Sequence, residues 1–178
     1  TLSKDGVQNL APFSYFMAGG ANPVSVAISP TTDRNGNKKH TLTNIEETGE
    51  YTINIVTYDM RDPMNMTSTA YPQGVSEWDD SGLTPRKSSI VQPPLVAESP
   101  LSMEVKLFQV VSHGDLPVGA NYVIGEVVQF HVDLNLLVNG VVDPERVDYI
   151  ARMSGDWYSR ANPTSMFTLD RPNSVKVS

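Results

Sequence analysis

The chain has 178 residues, 39% of them hydrophobic, which predicts one domain with enough core to fold on its own. Its net charge of −7 at pH 7 argues against a nucleic-acid partner, and the absence of cysteine excludes disulfides, thiol catalysis and cysteine metal ligands. No apolar run approaches the roughly 20 residues of a membrane-spanning helix, so we expect no membrane partner. The absence of cysteine fits a reducing cytoplasm, which is the expected location. Since Thr1 is not an initiator methionine, we expect the native chain to begin earlier.

Most of the regular pattern in the chain has a period of two residues, which is typical of strands with one buried face. Near the start, Lys4, Asp5 and Gly6 predict a hairpin turn. Strands are predicted over four segments: residues 24–29, 51–56, 101–107 and 121–132. The last of these strands carries an apolar face made of Tyr122, Ile124, Val128 and Phe130.

Helical signals are fewer and shorter. Thr41 or Thr43 is expected to cap a helix that ends at Gly49. A second helix is predicted over residues 60–70, with an early interruption at Pro63.

A third helix is predicted at Asp143 and Pro144, because an acidic cap followed by proline is typical of a helix start. Its core-facing residues would be Val147, Ile150 and Ala151.

The segment over residues 71–100 is rich in proline and glycine, and loops of this length are usually functional or disordered. Trp78 indicates an ordered lid or a dimer arm, whereas the residues after Arg160 predict a surface extension. Many strands with a few short helices predict a mainly β fold, an antiparallel β-barrel with short helices at its edges.

The first candidate binding segment is residues 9–16, with the sequence NLAPFSYF. It places small residues where the backbone can approach a flat polar ring such as a flavin closely. Asn9 and Ser14 add side-chain donors and acceptors, and Pro12 fixes the bend. From this segment alone, an ordinary strand end followed by a turn is the slightly favoured interpretation.

The second candidate segment places Lys39, Thr41 and Asn44 at the predicted start of the first helix. A phosphate at a helix N-terminus gains from free N–H groups and from the helix dipole. A simple capping box with a solvated lysine is the commoner explanation of this pattern alone.

Of the three histidines, His40 is the functional candidate because of its location. His113 is predicted to be exposed in a turn. His131 is predicted to be a structural residue on one face of a strand and not a ligand of a cofactor or metal. We find neither a metal-ligand spacing nor a nucleophile elbow, so no metal site and no catalytic triad are predicted.

The two candidate segments, together with others in order, resemble the flavin reductase-like, FMN-binding split-barrel family, the group of flavoredoxin and nitrilotriacetate monooxygenase component B. The resemblance is carried by residues 4–16, 40–51, 64–78, 93–100, 123–128 and 152–158. It implies a homodimeric split barrel with one FMN per subunit near the dimer interface. It also implies a domain over residues 1–160 and a C-terminal extension over residues 161–178.

The resemblance also implies a cofactor site. The isoalloxazine ring and ribityl chain would be lined by Asn9, Leu10, Ala11, Pro12 and Ser14. The phosphate would be held by Lys39, Thr41 and Asn44. Further cofactor contacts would come from Thr1, Ser29 and His40, and from Trp157 or Tyr158. No catalytic side chain is implied, because hydride transfer to a flavin needs no side-chain acid or base.

The implied activity is that of an NAD(P)H-dependent flavin oxidoreductase, which passes hydride through FMN to an acceptor such as a partner monooxygenase. Two alternatives stay open: an FMN-binding electron carrier or flavin store that a partner protein reduces, and a module that has lost its cofactor. Many reductases of this family have a histidine where this chain has Asn121, which favours the carrier. Family members also often have aspartate at the position of His40.

Overall fold

The computed structural model describes residues 1–72, 74–114 and 116–172. In chain order its strands are β1 (Phe16–Ala21), β2 (Val24–Ile28), β3 (Glu50–Asn54), β4 (Pro85–Arg86), β5 (Leu95–Val96), β6 (Leu101–His113), β7 (Ala120–Val132), β8 (Leu137–Val138), β9 (Val141–Val142), β10 (Tyr149–Ser154) and β11 (Trp157–Ala161). The α-helices are α1 (His40–Thr48), α2 (Arg61–Met66) and α3 (Trp78–Ser81). Single 3₁₀ turns cover Tyr58–Met60, Leu134–Leu136 and Pro144–Arg146.

The main sheet has five strands in the order β1-β2-β7-β6-β3, and every neighbouring pair is antiparallel. The strands β6 and β7 form its long central hairpin, and β10 with β11 forms a separate hairpin. This architecture confirms the predicted mainly β fold with short helices. Within the described part of the chain, no helix has the length and apolar character needed to cross a membrane.

The core lies between the main sheet and α1, and a smaller cluster packs beside it. The members of the larger cluster are Val26, Ile28, Leu42, Ile45, Tyr51, Met103, Val105 and Val123. The smaller cluster consists of Met60, Trp78, Leu83 and Val96. Leu42 and Ile45 lie three residues apart on α1, so they share one helix face, and neither is exposed to solvent.

The helix α1 ends at Gly49, whose positive φ of 72° is the left-handed conformation that the prediction assigned to glycine. The predicted cap at Thr41 or Thr43 is wrong. The N-cap position is Lys39, which makes no side-chain cap hydrogen bond, and the helix begins at His40. Thr41 lies inside the first turn, where its hydroxyl accepts a hydrogen bond from Asn9 instead.

Gly125 of β7 leaves the space that Tyr51 of β3 occupies. A Cβ atom at this position would lie 2.3 Å from the Tyr51 hydroxyl oxygen and 2.5 Å from Cγ1 of Val105. Tyr51 is buried, and its hydroxyl has no hydrogen-bond partner among the described residues. Burial raises the pKa of this hydroxyl, which therefore stays protonated.

Replacing Tyr51 with phenylalanine is expected to raise the free energy of unfolding by about 1 kcal/mol, because it removes a buried hydroxyl that has lost its hydration without gaining a hydrogen bond. Urea denaturation of the two proteins measures the difference. A less stable Tyr51→Phe protein would mean that the hydroxyl does have a partner in solution.

The predicted third helix is wrong. The side chain of Asp143 accepts a hydrogen bond from the N–H of Glu145 at 3.0 Å, but this cap starts only the 3₁₀ turn Pro144–Arg146. The chain then extends into β10, which pairs with β11 along its length. Cross-strand pairing therefore overrides the local helix signal. Val147 is buried as predicted, whereas Ala151 is exposed.

Other predicted elements are confirmed with changed bounds. The early turn is confirmed, since Leu2 pairs with Gln8 and Gly6 has a φ of 85°. The second helix ends at Met66, four residues before the predicted end. The strand β1 was not predicted, because its residues are small or exposed and show no alternation.

Two predicted strand faces differ from the structure. In β7, Tyr122 is 45% exposed, whereas Val123 on the opposite face is fully buried. Phe130 is also 45% exposed, but a register shift between Glu104 and Val105 of β6 places it on the side of Val123, paired with Met103. In β6, the polar residues Ser102 and Glu104 are buried although the pattern predicted a half-buried strand. The local pattern shows neither the register shift in β7 nor the contact of Glu104 with residues 89–91.

The segment over residues 71–100 is partly ordered, with α3, β4 and β5 inside it. Its Gln73 lies outside the described residues, and its role as a lid or dimer arm stays a prediction. Residues 162–172 contain no helix or strand, and residues 173–178 of the predicted extension lie outside the described part. The domain boundary at residue 160 therefore stays a prediction.

Glu104 anchors part of this long segment to the sheet. Its Oε1 accepts a hydrogen bond from the N–H of Ser89 at 2.7 Å and lies 2.6 Å from Nε2 of His131. Its Oε2 accepts hydrogen bonds from the N–H groups of Ile90 at 2.6 Å and Val91 at 2.8 Å. Burial raises the pKa of Glu104, but the three N–H donors and His131 together outweigh it and lower the pKa to about 2.

We expect the stability of the protein to fall in acid partly through Glu104. Because the pKa of this carboxyl is lower in the folded state than its ordinary value of 4.5, its ionised form stabilises the fold above pH 4.5. That stabilisation is lost as the pH falls from 4.5 towards about 2. Urea midpoints measured across this range should drop more steeply for the wild type than for Glu104→Gln, and equal slopes would contradict the expectation.

Candidate functional site

A cleft of about 1150 Å³ opens between residues 9–14, one end of the main sheet, α2 and the β10–β11 hairpin. Ligand clefts in proteins usually measure roughly 300–1,000 Å³, so this one has room for a large cofactor. Its floor is apolar, with contributions from Val26, Ile28, Ile53 and Met103. Polar and charged side chains lie around this floor.

The two predicted binding segments meet at one edge of the cleft. The side-chain amide of Asn9 donates one hydrogen bond to Oγ1 of Thr41 at 3.1 Å and another to Oγ1 of Thr1 at 2.9 Å. The amide of Asn44 also donates to Oγ1 of Thr1, at 3.0 Å. Asn9, Thr41 and Asn44 are all buried, so this network fixes residue 9 against α1.

A second contact fixes the shape of residues 9–14. The N–H of Leu10 donates to the buried carboxylate of Glu77 at 2.8 Å. Glu77 directly precedes α3, so the segment 71–100 holds the edge of the cleft in place. Hydrogen bonds to a charged group are among the stronger ones in proteins.

Beyond Leu10, the same segment presents donors to the cleft. Among the described residues, the backbone N–H groups of Ala11, Phe13 and Ser14 have no hydrogen-bond partner. Pro12 has no N–H, and all four residues line the cleft. Backbone donors in such a position need water or a ligand with acceptor atoms.

The start of α1 lies at the same edge, where Thr41 lines the cleft. Its first turn carries no acidic side chain, and its N-cap residue makes no side-chain hydrogen bond. The first N–H groups of the helix are therefore available to an anion, which the helix dipole also favours.

The predicted site residues fall into two groups. Those that line the cleft are Thr1, Asn9, Leu10, Ala11, Pro12, Ser14 and Thr41. Those that do not line it are Ser29, Lys39, His40, Asn44 and Trp157. Asn44 nevertheless lies directly behind the cleft through its bond to Thr1, and Lys39 and His40 flank the start of α1.

The strand geometry explains why Trp157 and Ser29 lie elsewhere. Successive side chains of a strand point to opposite faces. Tyr158 lines the cleft, so the preceding Trp157 faces away and is 79% exposed. Ile28 lines the cleft in the same way, and Ser29 follows it outside.

Sequence reasoning missed the charged wall of the cleft. This wall consists of side chains from four separate elements, each of which lines the cleft: Tyr58 of a 3₁₀ turn, Arg61 of α2, Arg152 of β10 and Arg160 of β11. No local pattern connects residues so far apart in the chain. They come together because the hairpin docks beside Tyr58, through the pairing of Thr57 with Tyr149 and a hydrogen bond from the N–H of Tyr58 to the carbonyl oxygen of Asp148 at 2.9 Å.

The remaining candidates lie outside the cleft. Asn121 is buried, and its amide donates to the carbonyl of Pro30 at 3.1 Å while its oxygen accepts from Ser112 at 2.7 Å. His113 is exposed, as predicted, and His131 contacts Glu104 in addition to lying on the sheet. Within the described ranges, no group of three or more His, Asp or Glu side chains could hold a metal ion.

Comparisons with known proteins agree with this architecture. A family model described as the flavin reductase like domain matches residues 1–147. The structure of nitrilotriacetate monooxygenase component B from Bacillus cereus is 32% identical, with a TM-score of 0.88 over 94% of this chain and 83% of that chain.

Two further solved structures share the fold. A split-barrel protein from Shewanella frigidimarina NCIMB 400, described as a flavin reductase, is 32% identical, with a TM-score of 0.80 over 98% of this chain and 83% of that chain. The flavoredoxin of Desulfovibrio vulgaris (Miyazaki F) is 22% identical, with a TM-score of 0.74 over 100% of this chain and 87% of that chain.

Proposed function

The chain belongs to the flavin reductase-like family, and on that premise we propose that it binds FMN in the cleft and passes electrons from NADH or NADPH to an acceptor. The observation that carries this proposal is the hydrogen bond between Asn9 and Thr41. It joins a segment suited to a flat polar ring with a helix N-terminus suited to a phosphate.

The residues present fit the ring and ribityl chain of FMN. Ala11 and Pro12 have short side chains, so a planar ring can approach their backbone closely. The unpaired N–H groups of Ala11, Phe13 and Ser14 would donate to ring carbonyls or ribityl oxygens. The apolar floor of the cleft would cover a ring face and exclude water.

The residues at the start of α1 fit the phosphate. The Thr41 hydroxyl oxygen accepts from Asn9, so its own hydrogen is directed elsewhere and would donate to a phosphate oxygen. Lys39 stands at the N-cap of the same helix and would add positive charge, with His40 beside it. Asn44 would act indirectly, because it orients Thr1.

Bound FMN supplies the hydride and electron-transfer chemistry of such proteins. The residues of this chain would bind and orient the cofactor, and none of them needs to move a proton. The electron acceptor would be free flavin or a partner protein such as a monooxygenase.

We further propose that the protein is a homodimer. Large apolar side chains remain exposed on the single chain, among them Phe108 at 74%, Met153 at 66% and Trp157 at 79%. Monomeric proteins rarely expose contiguous apolar patches beyond a few hundred Å². A second copy over these strands would bury them, and Trp157 would then face the partner instead of its own cleft.

A second candidate function is an electron carrier or flavin store that a partner protein reduces. The hydrogen bonds of Asn121 favour this carrier function. This residue stands where many reductases of the family have a histidine, and here it is committed to Pro30 and Ser112 outside the cleft. The carrier would bind FMN without reacting with nicotinamide nucleotides.

The experiment that separates the two mixes the FMN-loaded protein with NADH or NADPH without oxygen and follows the visible absorbance of the flavin. The reductase predicts bleaching that is faster than in an equal solution of free FMN. If the flavin stays bound but neither nucleotide accelerates its bleaching, the reductase proposal fails and the carrier replaces it.

A further inference from the structure

The arginines of this chain are distributed unevenly. Three of the seven, Arg61, Arg152 and Arg160, line the cleft, whereas no lysine among the described residues does. The chain as a whole carries a charge of −7. Arginine is preferred to lysine where a planar, forked group must recognise a phosphate or carboxylate.

Tyr58 organises two of these arginines. The guanidinium carbon of Arg61 lies 4.2 Å from the centre of the Tyr58 ring, and that of Arg160 lies 3.9 Å from it. Nη1 of Arg61 also donates to the carbonyl oxygen of Tyr58 at 2.9 Å. Stacking and hydrogen bonding together fix the planes of both guanidinium groups.

The guanidinium groups of Arg152 and Arg160 are each anchored along one edge only. Nε of Arg160 donates to Asp148 at 2.7 Å, and its Nη2 donates to the same carboxylate, which leaves Nη1 without a partner in the described part of the chain. Nε of Arg152 donates to the carbonyl oxygen of Gly155 at 2.9 Å, and both of its Nη groups are unpaired among the described residues. Donors held in this way lose little freedom when a ligand binds.

Acidic groups nearby reduce the positive charge of the three arginines but do not occupy all of their N–H donors. Asp148 neutralises Arg160, and Oδ2 of Asp62 lies 3.3 Å from Arg61. The Asp62 side chain is 81% exposed, so its ion pair contributes little. Asp156 also lines the cleft. The attraction for an anion would therefore come from fixed hydrogen-bond donors more than from net charge.

We propose that Arg61, Arg152 and Arg160 form an anion subsite that binds the phosphates of a nicotinamide dinucleotide. The inference rests on the proposed function, because it assigns the second substrate of the same cleft. The cleft, at about 1150 Å³, exceeds the usual range for one ligand of roughly 300–1,000 Å³. The three arginines belong to α2 and the β10–β11 hairpin, whereas the proposed FMN phosphate contacts belong to α1.

The test is a calorimetric titration of the FMN-loaded protein with ADP, which carries the adenosine and phosphates of the dinucleotide but no nicotinamide. Arg61→Ala and Arg160→Ala should each weaken ADP binding about tenfold or more, since each removes hydrogen bonds to a charged group. FMN affinity should stay unchanged in both. Arg146→Ala is the matched control, because Arg146 is half-exposed, pairs with Asp143 and does not line the cleft.

Arg160→Lys keeps the positive charge and guards against a folding defect in the alanine variant. It should still weaken ADP binding, because lysine lacks the fork that the stack on Tyr58 fixes. Equal ADP affinity in wild type, Arg61→Ala and Arg160→Ala would overturn the subsite, as would a wild-type protein that does not bind ADP.

A third overturning result is weaker binding of FMN but not of riboflavin in the arginine variants. That outcome would assign the arginines to the phosphate of FMN itself. The titration also separates this inference from the proposed function. If neither NADH nor NADPH reduces the bound flavin, the reductase proposal fails, yet the ADP affinities still decide whether the subsite exists.

Discussion

Replacing Glu104 with alanine is expected to lower the free energy of unfolding by about 3–5 kcal/mol, because three backbone donors and His131 lose their buried acceptor at once. Glutamine at position 104 is expected to restore only part of the lost free energy of unfolding. Each carboxylate oxygen of Glu104 faces two nitrogen atoms, so the NH₂ group of glutamine meets two of them in either orientation. Urea denaturation measures both losses.

The matched control for Glu104 is Glu126→Ala on the neighbouring strand β7. Glu126 is exposed, and such a substitution usually changes stability by no more than about 0.5 kcal/mol. If Glu104→Ala were as mild as Glu126→Ala, residues 89–91 would not be held by this carboxylate in solution, and the account of how the long segment docks on β6 would be wrong.

Replacing Thr41 with valine is expected to weaken FMN binding by about 1.5–3 kcal/mol, which is more than tenfold, because the hydroxyl proposed to donate to the phosphate is removed. Valine keeps the shape of threonine but removes the acceptor of one Asn9 hydrogen bond. Because the Asn9 amide keeps its other bond, to Thr1, residue 9 and the first turn of α1 should stay in place. Fluorescence titration of FMN measures the change. The affinity for riboflavin, which has no phosphate, should fall much less.

Thr43→Val is the matched control for this site, because Thr43 lies on the same helix but does not line the cleft. It should leave the affinities for FMN and riboflavin unchanged. Two results would contradict the assignment of the phosphate to α1: full FMN affinity in Thr41→Val, or an equal loss for FMN and riboflavin.

The sequence predicted the elements whose signal is local. The alternation in residues 51–56 and 101–107 located β3 and the first half of β6, and Gly49 marked the end of α1 because only a residue tolerant of positive φ fits there. The helix predicted after Asp143 does not form, because the Asp143 side chain caps only one 3₁₀ turn and the chain then pairs with β11. The burial of Glu104 was not predictable, because its backbone partners are 13–15 residues away, His131 is 27 residues away, and a glutamate in a strand usually faces water.

The candidate site likewise contains parts that local sequence signals predicted and parts that they did not. Residues 9–14 and the start of α1 are continuous segments with recognisable chemistry, and the structure joins them through Asn9 and Thr41. The arginine wall is formed by side chains about 100 residues apart in sequence, Arg61 and Arg160, which meet on one tyrosine ring. Such a contact depends on tertiary docking, which a single sequence does not encode in any local pattern.

The most direct measurement is the melting temperature of the purified protein with and without FMN, together with the visible spectrum of the mixture. A cleft that holds FMN predicts a rise of roughly 5–10 °C when free FMN exceeds the dissociation constant a hundredfold, and a flavin spectrum altered by burial. An unchanged melting temperature with the spectrum of free FMN would contradict the account, because the cleft would then not be a flavin site.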